Sequence, residues 1–203
     1  PLSINALAER SRALLFASYL GEATGTAVAD VLFGRVAPSG KLPITFPRGV
    51  GRLPAHYDHK PSLHRSYLFS EKTPGPLFPF GHGLSYTRFV YGEPTVEPAT
   101  IKASDSARVS VTLKNDGPRA ATEVVQLYVR DRVSSVSRPV KQLRDFTRVT
   151  LAPGQSQTVT FVVGPDKLAF FGLGGTRIVE PGEFELQVGG SSAVVKTAVL
   201  TVA

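Results

Sequence analysis

The sequence predicts an α/β segment followed by an all-β sandwich of immunoglobulin-like type. Three observations predict it. Up to about residue 90, helical and strand-like pieces alternate; beyond residue 91, four runs show period-two alternation of apolar side chains; and turn residues separate those runs with no helical period between them.

The first segment begins with "INALAER", short and rich in Ala, Leu and Glu, which reads as a helix. "RALLFASYL" (Arg12–Leu20) is an apolar run stopped by Gly21, of the length expected for a buried strand, although pattern alone leaves a helix open. "GTAVADVLFG" places Val28, Val31 and Leu32 on one helical face, with Gly34 where a helix ends. "APSGKLPITFP" reads as a turn and then an extended stretch, which Pro43 and Pro47 confine to an edge. Residues 1–90 therefore form the tail of a layered α/β domain, and 53–90 an irregular connection rich in Pro, His and Tyr.

The second segment, 95–203, has the size of one β-sandwich domain. "ARVSVTLKNDG" alternates Val109, Val111 and Leu113 before an Asn-Asp-Gly turn. "TEVVQLYVRD" puts Val125, Leu127 and Val129 on one face and Gln126 on the other. "LAPGQSQTVTFVVGP" turns at Pro-Gly and continues with Val159, Phe161 and Val163; "EPGEFELQVGG" repeats the device with Phe184, Leu186 and Val188.

Composition narrows the chemistry. With 42% hydrophobic and 19% charged residues the chain can bury a core. No apolar run approaches ~20 residues, so no membrane span is expected. Zero cysteines exclude disulfides, thiolate metal sites and cysteine nucleophiles, and fit a bacterial protein of either compartment. There is no methionine, even at position 1, which reads as a processed chain or an internal piece of a longer one. The formal charge of +7 comes from singly scattered Lys and Arg, so no nucleic-acid partner is expected.

No catalytic set emerges from the residues themselves. His56, His59 and His64 lie close together in the connection but lack a helpfully spaced fourth ligand, so no metal is expected. "GHGLS" is not a Gly-x-Ser-x-Gly nucleophile elbow. Glycoside hydrolysis needs two carboxyl groups flanking one bond. Among Glu9, Glu22, Asp30, Asp58 and Glu71, only Glu22, in the loop "GEATG" between a strand-like run and a helix, lies where α/β crevices form.

Three blocks carry a resemblance: "ADVLFGRVAPSGKLPITFPRGVGRLPAHYDHKP", "PLFPFGHGLSYTRF" and "SRPVKQLRDFTRVTLAPGQSQTVTF". In this order they resemble the C-terminal third of glycoside hydrolase family 3, the β-glucosidase and β-xylosidase group. The resemblance implies the end of that family's α/β sandwich domain followed by a fibronectin type III-like domain. It also implies a retaining exo-β-glycosidase without cofactors, acting on β-linked oligosaccharides or aryl glycosides. On that implication the candidate substrate-proximal residues are Glu22 and, in the connection, Arg65 and Tyr67, whose guanidinium and phenol can hydrogen-bond sugar hydroxyls. The Asp nucleophile and Glu acid/base of the family have no counterpart here, so the catalytic pair is expected on the remainder of a parent chain, the main partner of this piece. The chain departs from the pattern at Ser18–Gly25, where the family typically has Trp, an aromatic, Pro, Gly, any residue, Glu, Gly, Gly, and at His82, usually another aromatic. A flat ring at that place reads as packing. "FPFGHGLSYTRF" is therefore expected to be a domain seam: Phe78, Phe80, His82 and Phe89 supply ring area, Gly81 and Gly83 permit close backbone approach, and Ser85 and Thr87 bond to backbone. The rival reading is a non-catalytic immunoglobulin-like module that binds carbohydrate or cell-wall polymer.

Overall fold

The computed structural model describes residues 3–61 and 75–203. The first part contains two helices, α1 (Asn5–Arg10) and α2 (Thr24–Leu32), and one 3₁₀ turn at Val50–Arg52. Neither helix buries a residue within this chain. Helix α2 stops where the sequence requires: Gly34 takes φ +72°, and its N–H donates to the Val31 carbonyl.

Arg12–Leu20 departs from expectation. It forms no ladder, and all nine residues are exposed. A buried strand needs neighbours on both edges and both faces, and among the described residues none pairs with this run. Within it, Phe16 stands edge-on to Phe46 at 5.4 Å between ring centroids. The extended stretch after Ser39 does pair, as its prolines allow, but through isolated bridges: Phe46 and Phe78 exchange backbone bonds, and Leu42 exchanges backbone bonds with the 81–82 turn.

Everything after residue 88 is dominated by strands. These are β1 (Phe89–Tyr91), β2 (Thr95–Glu97), β3 (Thr100–Ile101), β4 (Ala107–Asn115), β5 (Ala121–Asp131), β6 (Gln142–Leu151), β7 (Ser156–Val163), β8 (Phe170–Phe171), β9 (Arg177–Ile178), β10 (Gly182–Gly189) and β11 (Val195–Val202). A short helix, α3 (Pro165–Leu168), follows β7 with proline at its first turn. Sheet one is built on β4, with β1 and β2 along one edge and β7 along the other; sheet two runs β3-β11-β10-β5-β6. The small hairpin β8-β9 stands apart.

The two sheets enclose one core because each long strand alternates. Val109, Val111 and Leu113 on β4 and Val159, Phe161 and Val163 on β7 meet Val125, Leu127 and Val129 on β5 and Phe184, Leu186 and Val188 on β10. Each such buried side chain contributes roughly 1.5–3 kcal/mol. Turn chemistry agrees: Gly154, between β6 and β7, adopts φ +75° with open space around it. The architecture is thus an α/β segment joined to an all-β sandwich, as the sequence predicts.

Two irregularities interrupt the sandwich. In the β5–β6 ladder Leu127 faces Asp145 while Tyr128 faces Leu143, so Arg144 is an extra, unpaired residue: a β-bulge. A cavity of about 500 Å³ lies along the open side of the sandwich, between edge strands β6 and β7. Lys167 Nζ meets Asp145 Oδ2 at 3.0 Å among its lining residues, and charges in such a place discourage another strand from adding to the edges.

Candidate functional site

The distinctive surface of this chain is the outer face of β5. A β-strand with one face in the core normally shows the other to water. Here Gln126 and Tyr128, both outward, are 3% and 0% exposed. They are covered by the turn around Gly81. The Gln126 Nε2 donates to the carbonyls of Gly81 (3.2 Å) and Gly190 (2.7 Å), and the Tyr128 hydroxyl donates to Gln126 Oε1. The backbone of the 78–82 turn is also tied on both sides. The Ser192 N–H donates to the Phe80 carbonyl at 2.9 Å; the Gly81 N–H donates to the Leu42 carbonyl and the Leu42 N–H to the His82 carbonyl, both at 2.8 Å.

Glycine is required at two places. Gly81 has φ +78°, and a Cβ there would come 2.1 Å from Gln126 Oε1; a Cβ on Gly83 would come 2.3 Å from the Gly40 carbonyl oxygen. The aromatic rings then close the contact. Phe80 stacks on Tyr57 at 4.2 Å, both lie edge-on to Tyr128, and the Tyr57 hydroxyl accepts the Leu143 N–H at 3.1 Å. Phe78 stacks on His82 at 5.5 Å and meets Phe46 edge-on. Burial first, and then the Lys41 charge, hold the His82 imidazole below its ordinary value, so it is a neutral ring at neutral pH.

Beside this turn sits a buried polar group of three. Lys41 Nζ lies 3.0 Å from Glu123 Oε1, with side chains only 14% and 7% exposed. The Tyr91 hydroxyl donates to the same carboxylate at 3.0 Å, and Lys41 also reaches the Gly83 carbonyl at 3.4 Å. Burial, followed by the Glu123 charge, pushes the Tyr91 phenol far up, which keeps it a donor. A further anchor holds the end of α2: the Tyr86 hydroxyl donates to the Val31 carbonyl at 2.6 Å, and the Arg119 guanidinium lies 5.8 Å from the Tyr86 ring centroid.

Other residues singled out by the sequence lie apart from this contact or at its margin. Phe89 belongs to β1 and packs against the sandwich core. Among the described residues, Thr87 bonds to a side chain, Asn115 Oδ1 at 2.5 Å, and not to backbone, and the Ser85 hydroxyl is buried without a partner. Glu22 is exposed in the turn before α2. Arg65, Tyr67 and His64 lie outside the described residues. His59 uses Nδ1 on the Lys60 carbonyl, 2.9 Å away. Asp30 pairs with Arg35 at 2.5 Å. Sequence reasoning missed Lys41, Tyr57, Glu123 and Tyr128. Their signals differ: Tyr128 is an aromatic at an outward strand position, Glu123 a charge on the same strand face as Val125, and Lys41 a cation directly after Gly40, while nothing local marks Tyr57.

The contact around Gly81 is thus built from packing, glycine clearance and buried hydrogen bonds. It brings together no acid and base pair of the kind glycoside hydrolysis uses.

Residues 1–86 match the Glycosyl hydrolase family 3 C-terminal domain, and residues 123–192 the Fibronectin type III-like domain. The chain is 47% identical to a β-xylosidase of Formosa agariphila, with all of the chain covering 28% of that protein. It is 40% identical to the periplasmic β-glucosidase of Salmonella typhimurium, with 97% of the chain covering 27% of that protein. Among solved structures, a β-glucosidase from Erythrobacter marinus superimposes with a TM-score of 0.94 at 48% identity, over 100% of this chain and 27% of that one. A Listeria innocua β-glucosidase in complex with glucose gives 0.91 at 35% identity, over 100% and 29%. The chain spans little more than a quarter of the curated relatives it matches. It belongs to glycoside hydrolase family 3, and carries sequence of that family's C-terminal domain followed by a fibronectin type III-like domain.

Proposed function

We propose that this chain braces a retaining exo-β-glycosidase of β-glucosidase type, one that hydrolyses terminal β-linked sugars of oligosaccharides or aryl glycosides. The observation that carries the reading is coverage: β-glucosidases and β-xylosidases match the chain end to end, yet three quarters of each lies beyond the match. On this reading the two bond-breaking carboxyl groups and the rest of the α/β layer belong to those other parts. The exposed apolar residues Leu14, Leu15, Phe16, Leu32 and Phe33 support it, since they lie on two short stretches of chain with little to cover them here. We further place the domain division between residues 90 and 95. The stretch from Phe78 to Phe89 then acts as the seam, pinning the α/β layer to the sandwich. Glu22, Arg65 and Tyr67 are our assignments for the groups of this chain nearest the substrate.

The test is turnover of an aryl β-glucoside. The isolated chain gives none, and the same chain joined to the remainder of the parent chain gives turnover. Activity of the isolated chain that disappears in Glu22→Gln would sink the assignment of catalysis elsewhere.

A further inference from the structure

The His82 ring is a titratable group set inside a contact, and the backbone that carries it helps to hold that contact shut. The His82 carbonyl accepts the Leu42 N–H, and the Gly81 N–H donates to the Leu42 carbonyl, both at 2.8 Å. The Phe80 carbonyl accepts the Ser192 N–H at 2.9 Å, so three successive residues tie the turn to chain on either side of it. The ring lies 15° from the plane of Phe78 at 5.5 Å, and Phe78 meets Phe46 edge-on.

The surroundings set what a proton does there. The ring is partly buried against an apolar face, which accepts a neutral imidazole and penalises an imidazolium. The charge facing it, from the extended stretch, is Lys41, a second cation. Behind Lys41 stand Glu123 on β5 and the Tyr91 hydroxyl on β1. That carboxylate is already engaged: Lys41 Nζ and the Tyr91 hydroxyl each lie 3.0 Å from Glu123 Oε1. The turn itself, Phe78–Gly83, has no other titratable side chain.

We propose that the contact around Gly81 is an acid-operated latch: protonation of His82 releases the 78–82 turn from β5 and from the Leu42 stretch while the sandwich stays folded. Release uncovers Gln126 and Tyr128 on the outer face of β5, and the core on the inner face, with Val125, Leu127 and Val129, stays closed. The latch belongs to this contact and holds whatever the parent chain hydrolyses. Its sign follows from linkage. The closed turn disfavours the proton, and the released turn takes it up near the ordinary value of about 6.5. The latch is therefore closed at pH 7. As pH falls from that value through the folded one, its opening constant rises by up to about tenfold per pH unit.

The experiment is amide hydrogen exchange of the 203-residue chain, followed by NMR between pH 7 and 5 and corrected for intrinsic rate. The Leu42, Gly81 and Ser192 amides, which make the latch bonds, lose protection about threefold or more, along the same curve on which the His82 ring protons titrate. The amides of the β5–β10 ladder keep theirs. His82→Phe retains a flat ring and abolishes the pH response at the three latch amides. Loss of protection in latch and ladder together means that the whole fold opens. A ring that titrates while the latch amides stay protected swings out alone. Either result overturns the proposal, as does an acid response that survives His82→Phe. Should that variant fail to fold, the comparison of latch with ladder in the wild-type chain decides.

Discussion

Gln126 holds Gly81 and also forbids it a side chain. Its amide donates to the Gly81 carbonyl at 3.2 Å, while its Oε1 occupies the space, 2.1 Å away, where a Cβ would stand. Gly81→Ala therefore meets two costs at once, the positive φ and the collision with a buried amide that Tyr128 also uses. We expect a loss of about 2–4 kcal/mol in urea unfolding. Gly154→Ala is the control. It has nearly the same φ, +75°, with nothing within 4 Å, so only the backbone cost of about 1–2 kcal/mol applies. Equal losses for the two variants would show that the contact with Gln126 contributes nothing.

The Lys41–Glu123 pair gives a test of sign. Removing one partner leaves a buried, unmatched charge, so Lys41→Met costs about 3–5 kcal/mol. Replacing both, Lys41→Met with Glu123→Leu, removes the desolvation of both ions and recovers most of that loss. The Tyr91 hydroxyl loses its acceptor in the double variant, and Tyr91→Phe added to it makes all three side chains apolar. A double-mutant cycle in denaturant measures the coupling. If Lys41→Met alone is neutral, the ion pair is not the fastener the geometry makes it.

How much of this was legible in the sequence depends on which physical rule the residue obeys. Val125, Leu127 and Val129 follow the two-residue period of a half-buried strand, so the core could be read from them. The same period puts Gln126 on the outer face, but a period says nothing about what lies beyond that face; only the fold shows the 78–82 turn covering it. Arg12–Leu20 has the composition of a buried strand, yet composition cannot supply the neighbouring strands that would make it one. The Arg144 bulge leaves no trace in the pattern, because one inserted residue in "KQLRDF" looks like ordinary polar sequence. Gly34 is the opposite case: its helix-stopping position and its φ of +72° express one and the same backbone requirement.

His82 sets an acid-side dependence of stability. Burial and the Lys41 charge lower its pKa in the folded state. Between the folded and unfolded values the unfolded chain binds more protons, so stability rises with pH in that window and levels off above about 6.5. In the other direction, the His82 contribution is present at pH 7 and is lost as pH falls from the unfolded value through the folded one. His82→Phe keeps a flat ring against Phe78 and removes the titration. The difference in unfolding free energy between wild type and His82→Phe therefore changes between pH 7 and 5 in favour of the variant. A difference that stays constant across that range assigns the acid sensitivity to another group.

Tyr57 separates the two kinds of bond that hold the connection to the sandwich. Its ring stacks on Phe80 at 4.2 Å and stands edge-on to Tyr128, while its hydroxyl accepts the Leu143 N–H at 3.1 Å. Tyr57→Phe removes only the acceptor, at a cost of about 0.5–1.5 kcal/mol. Tyr57→Ala removes the ring as well and opens a gap against Phe80; the cost rises to about 2–4 kcal/mol. Because the Leu143 N–H sits at the bulge, hydrogen exchange at that amide reads the polar contribution directly, and it speeds up in both variants. Global unfolding reads the ring, and it responds chiefly to Tyr57→Ala. If the two substitutions destabilise equally, the stacked ring adds nothing and the connection is held by its hydrogen bonds alone.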